Sequence, residues 1–267
     1  MRARRVSAIV LRQLYLMRGS LARVLPLFAW VAVDMVLWGF MSRYLGAIGG
    51  GRFDFVSALL GAVLLWDFFT RVMFGVTMSF FEDVWSRNFL NIFATPLTVA
   101  EYLAGLVLTG IMTSSLGLVA MLLVATLAFG LSFSVYGALF LPFILVLFLF
   151  GIALGIFGVA VVLRLGPASE WLIWPIPMML APFACVFYPR ETLPAWMRAI
   201  SMLIPPSHVF EGIRAISAGR TVPALALAAG VALAAAYILA ACWFFARTHR
   251  HAVRTGLIAR YSAETIG

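Results

Sequence analysis

Apolar residues in this chain fall in long continuous runs, not in alternation. The runs cover roughly residues 24–44, 55–81, 105–129, 136–162, 171–187 and 222–245. Each approaches the ~20 residues a helix needs to cross the hydrocarbon core of a bilayer. A membrane barrel would alternate apolar and polar positions along each strand. The pattern therefore predicts an all-α integral membrane protein with six transmembrane helices. The fourth run carries Gly151, Gly155 and Gly158, a spacing that lets helices approach closely. The fifth holds Pro175, Pro177 and Pro182. That density predicts a kinked or broken helix, and irregular backbone at membrane depth tends to line a cavity.

The interruptions between runs are equally patterned. Residues 1–23 read as an N-terminal amphipathic interfacial helix. Val6, Val10, Leu14, Met17 and Leu21 share one face, and Arg5, Arg12 and Arg23 project nearly opposite. Residues 82–103 form the longest break on the side with more arginine. Trp85, Phe89, Ile92 and Phe93 fall at i, i+4, i+7 and i+8, one face of a short helix. Glu82 and Asp83 stand at its expected N-terminus, where negative charge suits the helix dipole. Thr95-Pro96 ends it, and Thr98 with Glu101 forms a capping-box pattern for the next helix. Either a partner protein or the lipid surface covers that apolar face.

A last interruption covers residues 188–221. It is too apolar for a solvated loop and too rich in proline for a span. Residues 193–204 and 207–216 each read as a helix of about ten residues, with Pro205-Pro206 between them. Short apolar segments of this kind dip into the membrane and return, so the expectation is a re-entrant hairpin on the outer side before the last span. Residues 247–267 read as a basic tail.

Charge placement sets the expected orientation. All 19 basic residues are arginine, and the formal net charge is +9. With the N-terminus inside, twelve arginines fall in cytoplasmic pieces and six in outer pieces, which favours this topology. Six spans then place both termini in the cytoplasm, in a multi-pass protein of the inner membrane. Most arginines flank apolar runs, which points to a membrane face and not to nucleic acid. The absence of lysine excludes an ordinary phosphate-binding P-loop, which needs its lysine. If ATP drives this protein, another chain binds it. Cys185 and Cys242 lie in apolar context, and no Cys/His cluster indicates a metal site.

Three ionisable groups fall deep within runs: Asp34 in the first, Asp67 and Arg71 in the second. Intramembrane charges are costly and face protein interiors or wet cavities. Asp67 and Arg71 stand at i, i+4 and can pair. Asp34 either lines a substrate path or serves as a buried hydrogen-bond acceptor. A membrane enzyme would need more clustered His, Asp or Glu at depth. An ion-coupled carrier would use these aspartates as coupling groups, but no inverted repeat stands out.

In its order of parts the chain resembles the membrane subunits of ABC-2 type exporters, over nearly its whole length. Thr95-Pro96-Leu97 followed by Glu101-Tyr102-Leu103 carries part of the resemblance. Phe187-Tyr188-Pro189, Leu193-Pro194, Trp196, Pro205 and Glu211-Gly212-Ile213-Arg214 carry the rest. Where family members often have a glutamate-rich, glycine-threonine stretch ahead of the Thr-Pro, this chain reads Trp85-Ser86-Arg87-Asn88-Phe89. The resemblance implies a permease that exports a drug, lipid or other amphiphile, or alternatively a polysaccharide or lipid-linked oligosaccharide. It implies a second permease copy or homologue and two ATPase subunits that hold ATP and Mg. It further implies that Trp85, Phe89, Ile92 and Phe93 insert into a groove on the ATPase, with Asp83 and Arg87 at the rim. Tyr188, Trp196, Glu211 and Arg214 would then belong to an outer gate, and Asp34, Asp67 and Arg71 to the translocation path.

Overall fold

The computed structural model describes residues 3–48, 55–86, 91–92, 94–130 and 133–256. Among these, every regular element is helical. In chain order they are α1 (Ala3–Arg18), α2 (Leu21–Ile48), α3 (Phe55–Trp85), α4 (Val99–Phe129), α5 (Phe140–Leu165), α6 (Ile176–Ala184), α7 (Ala195–Met202), α8 (Pro205–Ser217) and α9 (Ala224–Arg254). Five of them, α2, α3, α4, α5 and α9, are long and apolar enough to cross a membrane.

α3 is the spine. Phe68, Phe69, Phe80 and Phe81 are buried along its length, and small residues on its neighbours let their backbones come close. Gly110 of α4 lies so near Gly75 that a Cβ on Gly75 would sit 3.0 Å from the Gly110 Cα. On the adjoining side, Gly151, Gly155 and Gly158 of α5 receive Val72, Val76 and Thr77 in turn. The glycine spacing read from the sequence thus becomes a helix interface. Phe69 stacks on Phe150 across it, ring centroids 5.5 Å apart. α9 packs along α5, and α2 lies against α3 and α4.

The start of α4 follows its sequence pattern in detail. The Thr98 hydroxyl accepts from the Glu101 N–H at 3.3 Å, and the Glu101 carboxylate accepts from the Thr98 N–H at 3.0 Å. The helix ends at Gly130, whose φ of 66° is a left-handed cap.

The fifth expected span departs from a continuous helix. Residues 167–172 form a 3₁₀ turn, and α6 has only 9 residues. That is about 14 Å, less than half the ~30 Å hydrocarbon core. Proline explains the break: Pro175 stands at the N-cap of α6, Pro177 within its first turn and Pro182 inside it. Contacts along this stretch nevertheless move steadily away from the α1 end. Glu170 meets Trp85 at the end of α3. Trp174 packs on Phe74 at 4.8 Å, and Phe187 stacks on Trp38 at 5.5 Å, well along α2.

Other expectations shift in position. Pro205 and Pro206 do not separate two helices; they open α8, where their missing N–H groups cost nothing. α8 buries Val209, Phe210 and Ile213 against the bundle, whereas α7 leaves Trp196 and Ile200 uncovered. α9 continues as helix to Arg254, into the residues expected to be tail. On α1 the buried residues are Val6, Ile9 and Gln13, and Leu14 and Leu21 point away from the protein. The docked face of α1 therefore lies between its apolar and arginine sides, with Arg5 and Arg12 half-buried at its edge.

Close packing at α5 makes a specific expectation. A Cβ on Gly155 would lie 2.7 Å from Val76 Cβ and 3.0 Å from the Met73 carbonyl oxygen, part of the α3 backbone. Gly155→Ala should destabilise the protein by about 1–3 kcal/mol through overpacking. Gly117→Ala meets only the flexible Arg71 Cδ at 3.5 Å and should be tolerated. Thermal unfolding of the two variants in detergent checks the contrast.

Candidate functional site

A cavity of about 520 Å³ opens between α2, α3 and α4. Gln13, Met17, Arg23, Glu82 and Trp85 surround its end near α1. Its far end holds Asp34, Asp67 and Arg71. Asp67 stands about 27 Å along α3 from Trp85, at 1.5 Å per residue. The three ionisable groups singled out in the sequence as path residues are thus brought into one chamber. Arg71 Nε donates to Asp67 Oδ2 at 2.7 Å, the i, i+4 pair the spacing suggested.

Sequence reasoning missed most of the chamber wall. Trp30, Phe74 and Trp174 supply aromatic surface from three separate segments. Thr109, Thr113 and Ser114 supply hydroxyls from α4. Of the aromatic residues clustered on the second run, Phe68, Phe69, Phe80 and Phe81 are core, and Phe74 alone of that group lines the cavity. The usable signal was the Thr/Ser spacing of α4, a weakly polar stripe on an otherwise apolar helix.

Below the chamber lies a junction of charges. Asp83 is 2% exposed. It accepts from the Arg12 guanidinium of α1, and from the Tyr102 hydroxyl of α4 at 2.7 Å. Glu101 pairs with Arg5 at 3.3 Å, and Glu82 with Arg23 at 3.5 Å. This corrects the placement of Glu82 and Asp83. They close the last turn of α3 and do not open a separate helix, because α3 runs unbroken to Trp85. Asp83 consequently faces inward, toward Arg12 and Tyr102.

The remaining coupling residues divide. Trp85 is 53% exposed, and its indole N–H donates to Glu170 at 2.9 Å. Ile92 is half-buried and packs on the core. Arg87, Phe89 and Phe93 lie outside the described residues.

At the opposite end, Glu211 binds two groups: the Arg190 backbone N–H at 2.8 Å and the Arg214 guanidinium at 2.7 Å. Arg214 also donates to the Val186 carbonyl at 3.4 Å. These bonds clip the 186–190 strip onto α8. Tyr188 donates to the Pro182 carbonyl at 2.8 Å, and burial holds its phenol above the ordinary range, so it remains a donor at neutral pH. Trp196, 63% exposed, touches Phe183 edge-on at 6.4 Å. Of the four residues expected at an outer gate, three are engaged in internal bonds and Trp196 is open.

The family profile for the ABC-2 type transporter matches residues 6–217. The chain belongs to the ABC-2 type transporter family. A comparison with curated proteins returned no match. As an ABC-2 protein it is a membrane permease component of an ABC transporter. The matched stretch runs from Val6 in α1 to the end of α8, and so contains the whole chamber, the Arg12–Asp83–Tyr102 bonds below it and the clip above it.

The junction of this ABC-2 permease gives a test. Arg12→Leu leaves the Asp83 carboxylate buried with Tyr102 as its remaining bonded partner. Removing one partner of a buried pair costs about 3–5 kcal/mol, whereas replacing both with apolar groups is close to neutral. Arg12→Leu should therefore lower the midpoint of thermal unfolding, and Arg12→Leu with Asp83→Leu should recover most of the loss.

Proposed function

We propose that this chain is the transmembrane permease subunit of an ATP-driven exporter that moves an amphiphilic small molecule, drug or lipid out of the cytoplasm or inner leaflet. The chamber carries this reading. It runs from the α1 end into the middle of the bundle, and it joins apolar walls to a few placed charges, as ligand sites do. A volume of about 520 Å³ suits one drug-sized molecule. This favours an amphiphile over the polysaccharide alternative, whose chain would need a wider bore.

In this reading the α1 end faces the cytoplasm, because the arginine-rich N-terminus lies there. Six crossings follow if the broken 167–187 stretch counts as the fifth, with α7 and α8 forming an outer re-entrant element before α9. Both termini are then cytoplasmic, in a multi-pass inner-membrane protein. Two ABC ATPase subunits bind ATP and Mg, and a second copy of this permease or a homologue completes the assembly.

The loop after α3 receives the ATPase. Arg87, Phe89 and Phe93, with the exposed edge of Trp85, form its contact. Asp83 acts from behind by fixing the end of α3 to α1 and α4. A push on this loop would move the chamber mouth as one body, since Glu82 and Arg23 pair across that mouth and Gln13 beside them bonds the Ser79 carbonyl of α3.

Co-expression with its ABC ATPase tests the assignment. Phe89→Asp with Phe93→Asp should abolish co-purification and reduce ATP-dependent uptake of a fluorescent amphiphile into inverted vesicles to background. Undiminished co-purification would remove the coupling role from this loop. Uptake that persists without any ATPase would identify a secondary carrier instead.

A further inference from the structure

The chamber has a chemical sign. Three carboxylates line it, Asp34, Asp67 and Glu82, against two guanidinium groups, Arg23 and Arg71. Each arginine is held by a carboxylate of the same wall: Arg71 by Asp67 at 2.7 Å and Arg23 by Glu82 at 3.5 Å. Asp34 makes no hydrogen bond or ion pair among the described residues. It is a half-buried carboxylate facing the cavity, near enough to the Asp67–Arg71 pair to feel both charges but bonded to neither.

The neutral polar groups point the same way. Five hydroxyls line the chamber, and each donates its proton backwards to its own helix. Thr70 donates to the Trp66 carbonyl, Ser79 to Gly75, Thr109 to Gly105, Thr113 to Thr109 and Ser114 to Gly110. With the proton spent, what each has left for a ligand is oxygen lone pairs. Beside the N–H groups of its tryptophans and arginines, the wall therefore presents hydroxyl acceptors and carries one carboxylate more than its guanidinium groups balance. Trp30, Phe74 and Trp174 add π-faces, which attract cations.

We propose that the chamber between α2, α3 and α4 binds an amphiphilic organic cation. Asp34 faces the charged nitrogen, the α4 hydroxyl oxygens accept from its N–H groups, and Trp30, Phe74 and Trp174 enclose the apolar body. An organic anion of similar size meets carboxylate and lone pairs, and the two guanidinium groups that would attract it are already held. This names the substrate class of the exporter and rests on reading the chamber as its substrate path.

The test is equilibrium binding to the purified full chain in a neutral detergent, without nucleotide or ATPase. The probes are ethidium, an aromatic cation with N–H donors, and anilinonaphthalene sulfonate, an aromatic anion. Ethidium should bind, and the sulfonate should fail to displace it. Asp34→Asn should weaken ethidium at least about tenfold, the range for a hydrogen bond to a charged group. Asp34→Glu should stay within a few-fold of the parent. Thr113→Val should weaken it about threefold, with an unchanged melting temperature. If Asp34→Asn does not fold, the wild-type competition and Thr113→Val still decide. Displacement by the sulfonate as effective as by unlabelled cation, or equal ethidium affinity in folded Asp34→Asn, overturns the proposal.

The outcome is separable from that of the exporter reading. Ethidium binding with no ATP-dependent transport would count against export alone. Coupled, ATP-dependent transport with no preference for ethidium would count against the cation site alone.

Discussion

Helices in a bilayer gain little from hiding apolar surface from one another, because lipid tails are as apolar as leucine. Close van der Waals packing must hold them instead. In this protein that packing is concentrated on α3. Gly110 admits it to α4, and Gly151, Gly155 and Gly158 admit it to α5. The two interfaces lie on different sides of one helix, so α3 is fixed in rotation as well as position. That rotation aims Asp67, Arg71 and Phe74 into the chamber while Phe69 and Val76 stay in the core. The chemistry of the cavity thus depends on close packing and not on charge pairs.

Charges then occupy three levels with different duties. At the α1 end, Arg5, Arg12 and Arg23 tie α1 and α2 to the carboxylates Glu101, Asp83 and Glu82. These bonds replace the hydration those groups would have in water and hold the first helix against the bundle. At mid-depth, Asp67 and Arg71 neutralise one another. At the far end, Glu211 and Arg214 secure irregular backbone that could not satisfy itself in lipid. Asp34 is the exception: it lines the cavity and makes no hydrogen bond or ion pair among the described residues.

Much of this was legible in the residues. Continuous apolar runs located the five long helices, and Thr98 with Glu101 marked the start of α4 to the residue. The i, i+4 spacing of Asp67 and Arg71 foretold their pair, and the glycines of α5 foretold an interface. Other features depend on tertiary partners that no local pattern encodes. Nothing near Asp83 in sequence names Arg12 or Tyr102, so two acidic residues before an amphipathic stretch read as a helix start. The absence of glycine and proline between Gly75 and Trp85 shows in retrospect that α3 had no reason to stop earlier. Likewise the arginines of α1 looked solvated because their carboxylate partners lie some seventy to a hundred positions away. The break at 173–175 was legible from proline, but its shape was not.

The bond from the Trp85 indole to Glu170 has a mechanical consequence. It hitches the stretch leading into α6 to the base of α3. Trp174, four residues beyond Glu170, packs on Phe74 and lines the chamber. A tug on the loop below would thus travel up two ropes at once, one through the rod of α3 and one through the jointed segment beside it. The rigid rope transmits displacement and the jointed one absorbs it, so the two walls would slide past each other where a uniform bundle would merely tilt.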